Sequence, residues 1–466
     1  MKENWKRAAA AGSAVALMAG MLSGCNKKET AGSDEVVVTV GSWFVDEETY
    51  PDVYANQMKM VEDFEKLHPN VKIEDARWMF DAQSYMAKAE GETLPTLYSV
   101  PATECNKIMD LGYAAELTDE MDQRGFTDMM NEFMLDKVSR DGKIYMLPRY
   151  CYDQGIAVNV DLYKQAGFVS EDGTLYQPEN WEDLARVAGE IKQKTGADGF
   201  MLPTTNNCGG WRFTTIAWGY GTEFEKQIDG KWQATFDSPE CANALQFVKD
   251  LKWKYDVLPK NTLVELDECA KQLAAGNVGM IMAENSVVNN AVSLYGMDVK
   301  NIGMLSVPAG DKRKVSLMGG EFFIIDRNAN KEQIKAALDW CEYNGITIKL
   351  TDERKTTMEE NMIKSKETGG IVGLQAISPW KDECEVETYQ RELNEKYMSF
   401  EPKYIEHYND KDGIEYQAEE PIDAQELYNM LDSAVQEVLT NQDADPASVL
   451  KTVAANFQET NLNYAE

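Results

Sequence analysis

Apolar and polar positions alternate along this chain in two rhythms. In "EVVVTVGSW" a continuous apolar run leads into a turn, which predicts a buried first strand. Met60, Val61, Phe64 and Leu67 then recur at helical spacing, with a stop at His68-Pro69. "NVKIEDARW" reads as a second strand, "SYMAKAEGETLPTLYSVP" as helix, turn and short strand, and "ECNKIMDLGYAAELT" as helix and turn. "PENWEDLARVAGEIKQKTG" predicts an amphipathic helix with Trp181, Leu184, Val187 and Ile191 on one face. "CAKQLAAGNVGMIMAEN" reads as helix, glycine turn and buried strand, and residues 301–343 as strand, turn, strand and helix. Residues 420–440 form a final helix. This alternation predicts an α/β fold with mostly parallel strands.

The start of the chain has a different pattern. Lys2, Lys6 and Arg7 precede a short apolar run over residues 8–22, the make-up of a secretory signal. That run is too short for a permanent membrane anchor. Leu22-Ser23-Gly24-Cys25 resembles a bacterial lipobox, which implies that residues 1–24 are removed. Cys25 would then begin the mature protein, carrying a diacylglycerol on sulfur and an acyl chain such as palmitate on its amine. Residues 25–35 would be a flexible tether, and the globular part would sit on the outer face of the cytoplasmic membrane. A signal peptide with an incidental cysteine is the alternative.

The length of 466 residues predicts two or more domains, and 43% hydrophobic residues suffice for sizeable cores. A formal charge of −33 disfavours nucleic acid and anionic lipid surfaces as partners. Seven cysteines follow Cys25, an odd number with no CxxC, so their pairing stays open. GxSxG, HExxH and Walker A motifs are absent from the sequence. Only His68 and His407 are present, which gives little basis for a histidine-built metal site or triad. "NDKDG" at 409–413 reads as a turn rather than a calcium loop. The reading is of a non-enzyme without cofactor or metal. An extracellular glycosidase is the chief rival, because paired carboxylates are inevitable among 79 acidic residues.

Five segments, in order, resemble landmarks of the extracellular solute-binding proteins of ABC transporters, in the sugar-carrying family 1 akin to maltose-binding protein. They are "FEKLHPNVKI"; "LPTLYSVP" followed by "LGYAAELT"; "GKIYMLPRY" with "IAVNVDLYKQAGF" and "PENWEDL"; "LAAGNVGMIMAEN"; and "IGMLSVPAG" with "LMGGEFFIID". Thr96 stands where that family usually has Asp, and Asn180 where it has Thr. The resemblance implies a hinged two-lobed periplasmic-binding-protein-like fold of type II, with ligand in the interlobe cleft. By analogy the first lobe spans 36–150 and 311–355, and the second 151–310 and 356–466. It implies a monomer that hands a carbohydrate to ABC permease subunits. A sensor subunit presenting the same ligand to a membrane kinase would share the cleft.

Sugars offer C–H faces and a rim of hydroxyls, which aromatic rings and planar polar groups match. Ten Trp and 21 Tyr supply the rings. Trp43 and Trp78 follow the first two strands and Tyr98 ends the third, at the strand ends where α/β sheets place ligands. Each also suits a core. Tyr150, Tyr152 and Asp153 lie at the expected hinge, where packing is the alternative role. In "TTNNCGGWRFTTIAWGYG", Asn207, Trp211 and Arg212 are candidates, and Trp218 reads as core. Glu284 and Asn285 follow a buried strand. Gly320 and Glu321 are expected in a turn of close backbone approach. Trp181 and Trp340 are expected in the core. Trp43 and Trp211 are the expected gripping pair, with Asp153, Glu284 and Glu321 as hydroxyl partners.

Overall fold

The computed structural model describes residues 35–465. The expected signal segment, Cys25 and all but the last residue of the expected tether lie outside them. Two sheets organise the described chain. In the first, strands run in the order Glu415–Ala418, Val315–Ile325, Leu97–Pro101, Val36–Gly41 and Val71–Asp75, and Met146–Asp153 also pairs with Val315–Ile325. The second has the order Ile302–Leu305, Gly155–Asn159, Val278–Ala283 and Asp198–Met201.

The apolar runs become strands because both faces of these sheets are covered. In the second sheet Ile156, Val158, Met280 and Met282 face one hydrophobic cluster, whereas Ala157, Ile281 and Ala283 face another. A period of two with apolar residues at both phases reads as an unbroken hydrophobic stretch. The first sheet has its own cluster, built around Val38, Val40, Val100, Phe322 and Ile324. The structure is therefore mixed α/β with two sheet-centred cores, the two-lobed architecture expected.

Strand direction differs from the expectation. Val36–Gly41 is parallel to both its neighbours, but Val315–Ile325 runs antiparallel to Leu97–Pro101 and to Met146–Asp153. Gly155–Asn159 is likewise antiparallel to both partners. The reason is topological: these strands bring the chain across from one sheet to the other and back, so they enter against the local direction.

The helices follow their sequence signals with local exceptions. Trp181–Thr195 starts at Asn180, whose side chain accepts from Asp183 N at 2.8 Å, and ends at Gly196 with φ of 81°. Pro51–Leu67 buries Val61 and Phe64, whereas Met60 is exposed and Leu67, at the fraying end, is 67% exposed. Beyond residue 355 the packing departs from the expected lobe division. Met358, Ile377, Trp380, Cys384, Val386 and Leu393 join the first sheet's cluster, not the second's. Their segment contributes no strand to the second sheet, so the apolar surface of the first core draws it in. The seven cysteines of the described chain are free thiols.

Candidate functional site

Where Met146–Asp153 leaves the first core it lies beside Val315–Ile325, with Tyr150 opposite Glu321 and Tyr152 opposite Gly319. The alternation of a strand puts Tyr150 and Tyr152 on one face, and their rings stack at 6.4 Å with 29° between planes. Tyr150 is 48% exposed. Its hydroxyl donates to Glu321 Oε1 at 2.9 Å. The other oxygen of Glu321 accepts from Ser99 Oγ and from Arg149 Nη1, both at 2.8 Å. Arg149 also donates to the Ser42 carbonyl at 3.0 Å, which ties the loop after the first strand to this carboxylate. Burial and the nearby Glu321 charge push the Tyr150 phenol up to about 12.

Tyr152 faces the second core. Its ring centroid lies 6.2 Å from that of Trp211, with the planes tilted by 59°. Trp211 sits in the first turn of helix Cys208–Tyr220. Its indole Nε1 donates to Glu419 Oε1 at 2.9 Å, and the Arg212 guanidinium lies 5.0 Å from its ring. Arg212 is fully buried. It donates to Glu284 Oε2 at 2.7 Å and to the Met282 carbonyl at 3.2 Å, so a buried charge is both paired and hydrogen-bonded. Glu284 directly follows Val278–Ala283 and precedes helix Asn285–Ser293, with its side chain given to Arg212 and not to a helix cap.

Behind the tyrosines lies a second polar group. Tyr408 OH donates to Asp153 Oδ1 at 2.8 Å and is 2.9 Å from Asn285 Oδ1. Lys411 Nζ donates to the other Asp153 oxygen at 2.8 Å. Burial raises the Asp153 carboxyl and lowers the Lys411 ammonium, against the pull of their pairing. A cavity of about 790 Å³ opens beside this group, walled by Tyr150, Lys411, Tyr416 and Trp380, and its volume suits a small-molecule ligand.

The structure thus gathers Tyr150, Tyr152, Trp211, Arg212, Glu284 and Glu321, with Asp153 and Asn285 one layer behind. Asn207 flanks them, and its side chain is held by the Gln425 carbonyl at 3.0 Å. Four expectations change. Tyr98 is wholly buried, its hydroxyl 2.9 Å from that of Tyr85, so it is a core residue. Trp78 lies over Gly41, where an added Cβ would come 2.6 Å from the indole, and edge-on to Tyr98. Trp43 packs on Phe44 and Trp340, with ring centroids 4.7 and 5.1 Å away. Tyr98 belongs to the first core, and Trp43 and Trp78, partly buried, pack against it. Gly320 lies in a strand instead of a turn, and an added Cβ would meet the Tyr150 carbonyl at 2.4 Å. Its missing side chain lets two strands close up and leaves no approach for a ligand. Trp181, Trp218 and Trp340 are buried as expected.

Sequence reasoning missed Arg149, Tyr408, Lys411 and Glu419. Only Glu419 leaves a local trace, as two acids, Glu419-Glu420, set between a short strand and a helix.

Residues 59–345 match the family described as "Bacterial extracellular solute-binding protein". A lactose-binding protein of Rhizobium radiobacter is 28% identical over 130 residues, which is 28% of this chain and 29% of that protein's length. Among solved structures, maltose-bound MalE3 of T. maritima aligns with a TM-score of 0.61 at 18% identity, covering 91% of this chain and 99% of that one. The cyclic alpha-maltosyl-1,6-maltose binding protein of Arthrobacter globiformis aligns at 0.64 and 20% identity, covering 90% and 97%. UgpB of Mycobacterium tuberculosis, in complex with glycerophosphocholine, aligns at 0.64 and 16% identity, covering 92% and 98%. At these identities the structural likeness establishes the fold.

Proposed function

The chain belongs to the bacterial extracellular solute-binding protein family, and from that premise we propose that it captures a carbohydrate, an oligosaccharide, outside the cell and delivers it to an ABC permease. The observation that carries this reading is the row Tyr150–Tyr152–Trp211, which runs from one core to the other between Glu321–Arg149 and Glu284–Arg212. Aromatic faces suit the C–H patches of a pyranose. The paired carboxylates and guanidiniums suit its hydroxyls, and because they are already paired, little charge is left for an ionic ligand to neutralise. MalE3 is maltose-bound, and the Arthrobacter protein and the lactose-binding relative are likewise named for sugars, which supports the same class. UgpB is in complex with glycerophosphocholine, a phosphodiester, the alternative that a binding screen must exclude.

Delivery requires two shapes. Ligand that touches both cores only when they are closed shifts the equilibrium to closure, and the closed shape would be what the permease accepts. Chemical turnover has no part in this role. The lipid on Cys25 would hold the protein at the membrane.

A thermal-shift screen against neutral oligosaccharides, uronic-acid oligosaccharides and glycerophosphodiesters tests the reading, since a ligand that binds only the native state raises its stability. Stabilisation by a neutral oligosaccharide is expected, with calorimetry showing one site. Stabilisation by a glycerophosphodiester alone would sink it. Mass spectrometry of the membrane-extracted protein is expected to show a lipidated Cys25 as first residue. An unmodified terminus elsewhere would remove the anchor from the proposal.

A further inference from the structure

Two consecutive carboxylates grip one helix. Glu419 accepts from Trp211 Nε1 and Glu420 from Trp218 Nε1, each at 2.9 Å. The two tryptophans are seven residues apart, which puts them on one face of Cys208–Tyr220. Trp218 is fully buried, so Glu420 serves the core. Trp211 is only partly buried and lies against Tyr152 in the candidate site. The two bonds are chemically alike and differ in what the indole does.

We propose that Glu419 is a positioning residue of the ligand site: its carboxylate fixes the plane of the Trp211 indole, and protonation loosens that hold, so that capture weakens in acid. Such a role rests on carbohydrate capture being the task of this cleft. An ionised acceptor makes a shorter hydrogen bond, roughly twice as strong as a neutral one. An indole held by it meets the ligand already oriented, which reduces the ordering needed on binding.

Groups on every element packed against Glu419 bear on its proton. Lys137 of helix Glu132–Val138 favours the charge, and Glu104 opposes it. Cys105, Tyr152 and Tyr428 also face it, the last with its hydroxyl 3.4 Å from Oε1, and Glu420 follows in the chain. Lys137 donates to the Ala102 carbonyl at 3.3 Å and makes no ion pair within 4 Å among the described residues. Burial outweighs these influences and brings the Glu419 carboxyl up to about 7, where a proton exchanges near neutrality.

Indole N–H resonances of the ¹⁵N-labelled protein, assigned through Trp211→Phe and Trp218→Phe, follow the bond without any ligand. Calorimetry with a panel of neutral di- to hexasaccharides follows capture. Between about pH 8 and about pH 5.5 the Trp211 signal is expected to titrate and the affinity to fall about fivefold. Glu419→Gln keeps an acceptor oxygen but does not titrate near neutrality and is expected to flatten both curves. Glu420→Gln is expected to leave both as in the wild type. A Trp211 signal that does not titrate, or a pH dependence that survives Glu419→Gln, overturns the proposal. A titrating signal with constant affinity overturns the positioning role and leaves sugar capture standing. Failure of every sugar to bind at any pH overturns the capture reading and this role with it.

Discussion

At the scale of the residue, Trp211 joins binding to stability. Its ring lies against Tyr152 in the candidate site and its N–H is committed to a buried carboxylate. Trp211→Ala is expected to cost on the order of 2 kcal/mol of binding, the usual penalty for losing an aromatic anchor. It is also expected to lower stability by about 1 kcal/mol, because Glu419 loses a donor. Calorimetry with a binding sugar and a melting curve check both; unchanged affinity would remove Trp211 from the site. Buried acids set a second residue-scale behaviour. Burial pushes Glu225 up to about 9 and Glu419 and Glu420 up to about 7, and repulsion from Glu420 adds to the first. In an unfolded chain each would titrate near ~4.3. The folded state therefore holds protons that the unfolded state releases, and stability falls as pH rises from about 5 through 7 to 9. Carboxylates held low by hydrogen bonds, such as Asp63 and Asp172 at about 2, titrate below this window. Self-repulsion of a strongly acidic chain acts in the same direction, so the variant to compare is Glu419→Gln/Glu420→Gln. Its melting temperature is expected to change less between about pH 6 and about pH 8 than that of the wild type.

At the scale of the element, helix Cys208–Tyr220 owes its starting point to another helix. Asn207 has φ of 65°, and its side chain makes no cap. The N–H groups of Asn207 and Gly210 donate instead to Asp432 at 2.8 and 2.6 Å, from helix Ala424–Thr440. Gly210 permits this approach, since an added Cβ would come 2.1 Å from the Tyr428 carbonyl. Asp432→Ala leaves the buried Gly210 N–H and the half-buried Asn207 N–H without acceptors. It is expected to cost roughly 2 kcal/mol, seen as a melting temperature lower by several degrees, and to weaken ligand binding because Trp211 lies in the released turn. A variant with unaltered melting would show that solvent replaces the cap. The 181–195 helix carries its own Asn180 cap and needs no such help.

At the scale of the whole molecule, two cores share a few crossing strands. Met146–Asp153 begins in the first cluster, and Gly155–Asn159 continues directly into the second. Val315–Ile325 returns, with Val315 and Leu317 in the second cluster and Met318 onward in the first. Rotation about strands near 150–155 and 315–318 would open and close the aromatic row without unpacking either core. Small-angle scattering with saturating ligand is expected to show a smaller radius of gyration than without it. An identical profile, with binding verified by calorimetry, would leave hinge closure unsupported.

The sequence by itself determined the mixed α/β class, the order of most elements and the core tryptophans Trp181, Trp218 and Trp340. It also pointed to Tyr150, Tyr152, Trp211 and Glu321. These were legible because burial period, Asn and Gly caps and turn residues are local signals, carried within a few positions of the structure they cause. Only the tertiary structure decided which aromatics belong together. Trp43 and Trp78 follow strands while Tyr98, like Tyr150, lies within one, yet neighbours remote in sequence, Trp340 for Trp43 and Gly41 for Trp78, packed them against the first core. The structure likewise decided that Gly320 spaces two strands and that Met358, Ile377, Trp380, Cys384, Val386 and Leu393 pack with the first sheet. It alone joined Arg149 to Glu321 across 172 positions and Glu419 to Trp211 across 208. Such pairings depend on where the chain returns after long excursions, and nothing in the residues flanking either partner records that return.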